Sequence, residues 1–226
     1  MKYLNSYKGK FIDRPNRFVA NVEIDGQQHL CHVKNTGRCK ELLLPGSMVY
    51  LEKSNNPNRK TTFDLIAVEK GTLLINIDSQ APNKAVFEWL KAGGLFPENL
   101  IIQPEIKYET SRLDFYIEHE NRRAFVEVKG VTLEENRIAA FPDAPTLRGI
   151  RHIQHLMDIA KKGYEAYLIF VVQFKPVKYM IPNDMTHPEF GETLRQAASN
   201  GVKVLAYDCV VTPDTMTLDE SVPVKL

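Results

Sequence analysis

SRLDFYIEHENRRAFVEVKG, residues Ser111 to Gly130, reads as two short strands joined by a polar turn. In the first strand Leu113, Phe115 and Ile117 alternate with Arg112, Asp114 and Tyr116; in the second Ala124, Val126 and Val128 alternate with Phe125, Glu127 and Lys129. Period-two alternation puts each set on its own face of a sheet. A turn centred between Glu120 and Asn121 sets Asp114 directly opposite Glu127, and cross-strand partners have Cβ atoms roughly 4.5–5.5 Å apart. Two carboxylates that close repel unless positive charge sits between them; a divalent metal and the Lys129 ammonium are the candidates.

Beyond this ribbon the C-terminal part of the chain alternates helical and extended patterns. A helix over KAVFEWLKAG, capped by Asn83, stops at Gly93-Gly94. The extended run NLIIQPEIKYE and the hairpin follow, then TLEENRIAAFPDAP as a loop. A second helix starts near Thr146 and runs to Gly163, the apolar strand AYLIFVVQF follows, a loop carries Pro176 and Pro182, and a helix near PEFGETLRQAASN leads into the strand VKVLAYDCVV. Residues 1–82 look different. FVANVEID, HLCHVKN, MVYLEKS, DLIAVEK and TLLINID are short β-type runs punctuated by Gly26, Gly37, Gly46 and Gly71. Five such strands suggest a closed barrel of the OB type, which commonly binds oligonucleotides. The expected fold is therefore α/β (α+β): an OB-like domain over 1–82 and a mixed α/β domain over 83–226.

Composition narrows the function classes. At 226 residues, 43% hydrophobic and 25% charged, the chain has an ordinary globular composition. A formal net charge of +1 means that any nucleic-acid surface must be a local patch. MKYLNSYKGKFIDRPNRF lacks the apolar core of a signal peptide, and no run reaches membrane-spanning length. Three cysteines without a CxxC pair argue against a disulfide framework or structural zinc, so the expected compartment is the cytoplasm, with no membrane partner.

Asp, a hairpin, then Glu-x-Lys suits metal-dependent phosphodiester cleavage: hard oxygens for Mg²⁺ or Mn²⁺ and an ammonium to stabilise charge. Glu88 on the preceding helix is a candidate third ligand, and Glu105 on the strand before the hairpin could also reach the site. Asp143, in FPDA, either supplies a ligand or caps a turn. On the second helix Arg148, Arg151 and His155 share a face that could clamp phosphates, with His152 beside them. In the barrel half Arg14, Arg17, Lys34, Arg38 and Lys40 surround Phe18, His32 and Asn35; such a mixture can track a phosphate backbone, and it equally suits solvated loops around a core Phe18.

RFVANVEIDG, HVKNTGRCKELLLPG, SRLDFYI, AFVEVKGVTL, FPDAPTLRGIRHIQHL and GVKVLAYDC, in this order, resemble the sugar fermentation stimulation protein A family from near Arg17 to near Cys209. The resemblance implies an N-terminal OB-like domain and a PD-(D/E)xK nuclease-like domain. It also implies a DNA-binding protein tied to regulation of sugar (maltose) metabolism genes. Carried onto this chain, the nuclease motif falls on Asp114, Glu127 and Lys129, with Glu88 as the helix acid and Leu113 where the motif has proline. Arg17, His32, Asn35, Arg38, Arg148 and His152 are the expected nucleic-acid contacts. DNA is the expected partner, with RNA as the alternative polymer. The expectation divides between a metal-dependent nuclease and a non-catalytic DNA-binding regulator built on the same scaffold. Oligomeric state is left open, a homodimer included.

Overall fold

The computed structural model describes residues 1–35, 37–96 and 100–226. Six strands build the N-terminal half: β1 (Ser6–Asn16), β2 (Val19–Ile24), β3 (Gln27–Val33), β4 (Met48–Lys53), β5 (Phe63–Lys70) and β6 (Leu73–Asn76). They run in the order β3-β2-β1-β4-β5-β6, and a parallel pairing of His32 with Asp64 and Val33 with Leu65 joins β3 to β5. That contact closes β1–β5 into a five-stranded barrel, leaving no free edge within it. The count of five is as expected, but the membership differs. SYKGKFIDRPN is the barrel's long first strand, unread in the sequence because lysines and Pro15 mask its alternation. TLLINID supplies β6, which extends the sheet outside the closure. β1 serves two neighbours, β4 through its first half and β2 through its second, with register shifts at Phe11/Asp13 and Asp13/Asn16. Gly9 lets β1 approach β2 closely; a Cβ there would lie 2.6 Å from Val22 Cγ1 and 2.9 Å from the Glu23 carbonyl.

The second half is a six-stranded sheet in the order β15-β14-β12-β9-β8-β7. β7 (Ile101–Tyr108), β8 (Ser111–His119) and β9 (Arg122–Val131) are antiparallel; β12 (Glu165–Val172) and β14 (Val202–Val211) continue parallel to β9, and β15 (Met216–Ser221) is an antiparallel edge. β12, the strand with parallel neighbours on both sides, reads as a continuous apolar run, as burial on both faces demands. α2 (Leu147–Lys161) and α3 (Pro188–Ser199) lie on the face of Phe125, Leu168 and Phe170. α1 (Ala81–Lys91) covers the face of Phe115, Val126 and Ile169. α1 begins at Ala81 with Pro82 in its first turn, so Asn83 is inside the helix and not its cap. Thr146 does cap α2, its hydroxyl accepting from the Gly149 N–H at 3.0 Å. A small sheet of β10 (Leu133–Glu135), β11 (Ile138–Phe141) and β13 (Tyr179–Pro182) occupies segments expected to be loops. Among the described residues no helix is long and apolar enough to cross a membrane.

Charges and amides tie the halves together. The Asn76 N–H donates to the Gln173 carbonyl at 2.9 Å, and Lys70 reaches the Glu134 carboxylate at 2.6 Å. Inside the barrel end, Lys34 is the shared cation of three acids: Glu52 at 3.3 Å, and Asp64 and Asp78 each at 3.5 Å. Asp78 is fully buried and Asp64 nearly so. Burial works against the Lys34 charge, but Asp78, Asp64 and Glu52 outweigh it and hold its pKa above the ordinary lysine value. Removing one partner from a buried ion cluster leaves uncompensated charge. Lys34→Met should therefore lower the unfolding free energy by about 3–5 kcal/mol, read as a shifted urea midpoint.

Candidate metal and phosphodiester site

The hairpin register is the expected one. Phe115 pairs with Val126 and Tyr116 with Phe125, down to His119 with Arg122. Pairing stops one rung short of Asp114 and Glu127. Here β8 departs from simple alternation: Leu113 joins the core on the α2 side, whereas Phe115 and Ile117 belong to the core on the α1 side. Asp114 turns with it. Its Oδ2 accepts the Val128 backbone N–H at 2.7 Å, and its Oδ1 accepts from Asn83 Nδ2 at 2.6 Å. The aspartate thus takes the place of a backbone acceptor where two strands part.

Glu127 is 2% exposed on the α2 side of the sheet. Its Oε1 receives Lys129 Nζ at 2.6 Å and the ring Nδ1–H of His152. Arg148 Nε donates to His152 Nε2 at 3.3 Å, which leaves Nε2 as the acceptor and places the imidazole proton on Nδ1. Arg148, His152, Glu127 and Lys129 therefore form one directed chain of hydrogen bonds. Glu127 Oε2, by contrast, is buried without a hydrogen-bond partner. A buried carboxylate oxygen left alone is costly and suits a cation.

The two acids are electrically distinct. Burial first, and then Glu127, push the Asp114 carboxyl up to about 6, against the Val128 N–H, Asn83 and Lys129. Burial also raises Glu127, but the His152 hydrogen bond and the Lys129 charge outweigh it and hold its pKa below the ordinary glutamate value. Asp114 and the Glu127 oxygens are the groups that could hold a metal; the proton is held more tightly on Asp114 and less tightly on Glu127 than on ordinary carboxyls.

Several sequence candidates lie elsewhere. Glu88 is exposed and pairs with the Met1 ammonium at 2.6 Å; the α1 side chain that reaches Asp114 is Asn83. Five residues apart on a helix, the two point about 140° from one another. Glu105 pairs with the exposed Arg112 at 2.9 Å. His152, expected to contact nucleic acid, is buried under Arg148. His32 binds Asp64 through Nδ1 at 2.9 Å. Asn35 is spent on backbone groups: it ties its loop to the segment after β6 by donating to the Ile77 carbonyl at 2.9 Å, and it accepts from the Gly37 N–H at 2.7 Å. That loop is organised by Arg14, which donates to the carbonyls of Arg17, Asn35, Gly37 and Arg38. Arg17 and Arg38 keep exposed guanidinium groups, and with Arg14 and Lys40 they line one surface groove; Arg17 also lies 5.1 Å from the ring of the exposed Phe18. Asp143 caps no helix and faces a pocket between the halves.

One acidic group was not anticipated. Carboxylate oxygens of Asp208, Asp219 and Glu220 lie within 4.8 Å of one another. Lys175 already supplies a cation among them: it binds Asp219, reaches Glu220 at 2.8 Å and lies 3.8 Å from Asp208. Asp219 and Glu220 fall on β15, which carried no strand signal strong enough to read.

Known proteins supply the context. Residues 12–77 match the model of the SfsA N-terminal OB domain, and residues 80–215 match that of the sugar fermentation stimulation protein RE domain. The sugar fermentation stimulation protein homologue of Ruminiclostridium cellulolyticum is 57% identical over 100% of both chains, and that of Clostridium beijerinckii 55% identical over the same span. The structure of Pyrococcus furiosus SfsA in complex with Ca²⁺ superposes with a TM-score of 0.90 at 28% identity, covering 100% of each chain. With both halves matched in order and full-length relatives more than half identical, the chain belongs to the sugar fermentation stimulation protein family.

Proposed function

We propose that this protein binds nucleic acid along the basic groove of its barrel and hydrolyses a phosphodiester at Asp114, Glu127 and Lys129 with a divalent cation. The observation that carries the reading is Glu127 Oε2: a buried oxygen with no hydrogen-bond partner, on a carboxyl whose pKa His152 and Lys129 hold low, beside a second carboxylate. The Ca²⁺ held by the Pyrococcus furiosus relative supports a metal-binding family without identifying the physiological ion. When bound, the ion would neutralise phosphate charge and lower the pKa of a coordinated water. Asp114 and Glu127 would hold it. His152, itself held by Arg148, orients the Glu127 carboxylate. Lys129 keeps positive charge at the same carboxylate, where it can stabilise the negative charge that develops on the phosphoryl oxygens. Arg17, Arg38 and Lys40 would bind the phosphate backbone away from the reacting group.

Labelled single- and double-stranded DNA and RNA should be cut in Mg²⁺ or Mn²⁺ and spared in EDTA. Glu127→Gln and Lys129→Ala should each lower the rate by at least about 100-fold, with strand retention preserved. Retention without cutting of any polymer in any of these metals would defeat the catalytic reading in favour of a binding regulator.

Removing Arg17 or Arg38 should weaken binding and reduce the slope of log K against log salt by about 0.7–0.9 each, measured by fluorescence anisotropy.

The raised Asp114 pKa has a definite sign. A carboxyl whose folded pKa exceeds its unfolded value, about 4, binds more protons in the folded state, so its contribution to stability falls as pH rises from about 4 to about 6. In EDTA, the stability of the parent protein relative to Asp114→Asn should drop by roughly 2–3 kcal/mol between pH 4 and pH 7.5, seen in paired urea titrations. A flat difference would show that the carboxyl is not held in its protonated form.

A further inference from the structure

At the carboxyl ends of β9 and β12, where ligands commonly settle in parallel sheets, a pocket of about 110 Å³ lies between the two halves of the molecule. Its walls come from both: Asn35 and Ser79 from the barrel side, and Gly130, Phe141, Asp143 and Gln173 among those from the other. It is too small for a strand and abuts two features already described. Gly130 follows Lys129 directly, and the neighbouring Gly37, Arg38 and Ala144 line the basic groove.

The polar side of the pocket presents oxygen acceptors, and their orientation is determined. The Asp78 N–H donates to Asn76 Oδ1 at 3.0 Å, so that oxygen is unambiguous. Gln173 Nε2 donates to the same oxygen and to the Asp78 carbonyl, both at 3.1 Å, which commits both of its protons. Gln173 Oε1 must then point the other way, toward Gly130, where a Cβ would lie only 2.5 Å from it. Glycine at 130 is what leaves this carbonyl open. Asp143 adds a carboxylate whose Oδ2 lies 2.6 Å from the Cβ position of Gly37, and Ser79 has already given its proton to the Lys34 carbonyl. Thr132 and Asn35 add polar groups to the wall, and Leu133, Ala140 and the half-buried Phe141 form its apolar part. A bare cation would leave the Leu133, Ala140 and Phe141 side of the pocket unused. A flat ring with an amino group on its edge satisfies both sides at once.

We propose that this pocket receives a single nucleobase bearing an exocyclic amine, cytosine fitting it best, with Asp143 and the Gln173 carbonyl accepting from the amine. Carboxylates read cytosine N4 in this way, and enzymes acting on nucleic acids commonly hold one extruded base in a closed pocket. The inference rests on the nucleic-acid reading above and adds base selectivity to it. No metal is required, so it can be tested separately from cleavage.

Cytidine 5′-monophosphate and uridine 5′-monophosphate, which share sugar and phosphate and differ in the amine, are titrated against the full-length protein in EDTA by calorimetry. The same bases are then placed singly in a thymine-free abasic-flanked oligonucleotide for anisotropy. The cytosine forms should bind about tenfold more tightly than the uracil forms. Asp143→Asn, nearly isosteric and checked for folding by circular dichroism, should erase or invert the preference. Equal affinity for cytosine and uracil in the unmutated protein, with oligonucleotide retained, overturns the base pocket and leaves the nucleic-acid reading standing. Failure to retain any oligonucleotide overturns both. A cytosine preference unchanged by Asp143→Asn assigns the selectivity elsewhere and also overturns the proposal.

Discussion

The hydrogen bond from the Val128 backbone to the Asp114 carboxylate is the hinge on which the C-terminal half turns. β9 is a central strand with a parallel neighbour on one side and an antiparallel one on the other. Its N–H groups must be satisfied wherever they are buried, and leaving one unpaired costs on the order of 1–3 kcal/mol. By substituting a side chain for a strand, Asp114 lets β8 peel away while the ladder stays satisfied. The gap so opened brings one carboxylate to the edge of β9 and leaves a second, Glu127, on its α2 face.

Opposing demands on the same two acids follow from that geometry. Both are removed from water and lie close together, which raises the proton affinity of Asp114. Glu127 escapes the same fate because His152 and Lys129 converge on one of its oxygens. The helix α2 thus does more than cover the sheet: Arg148 sets the tautomer of His152, and His152 sets the carboxylate. The barrel contributes through an analogous device. Arg14 gathers three carbonyls of the loop after β3 and that of Arg17 in the turn after β1, and this concentrates Arg17, Arg38 and Lys40 at the surface beside the seam between the halves.

The seam itself is a structural element. Lys34 holds acids from β4, β5 and the segment after β6 around one cation, and Asp78 in turn engages Tyr3 and, through its carbonyl, Gln173. Such a network fixes how the barrel end meets the carboxyl ends of β9 and β12. The pocket there draws its walls from residues roughly a hundred positions apart in the chain.

Read alone, the sequence established what depends on local pattern. Alternation and the Glu120-Asn121 turn specified the hairpin and its register, because a one-residue slip would turn every apolar side chain to the wrong face. Thr146 marked the start of α2, and the Asp…Glu-x-Lys spacing marked the candidate site. The membership of the barrel escaped it, since β1 divides its pairing between two partners and shows no clean alternation. Tertiary structure alone decided that Asn83 and not Glu88 meets Asp114, that His152 serves Glu127 and not a phosphate, and that Gln173 turns its carbonyl toward Gly130. Each of these depends on which oxygen or nitrogen is left unsatisfied when distant segments pack, a quantity that no local pattern records.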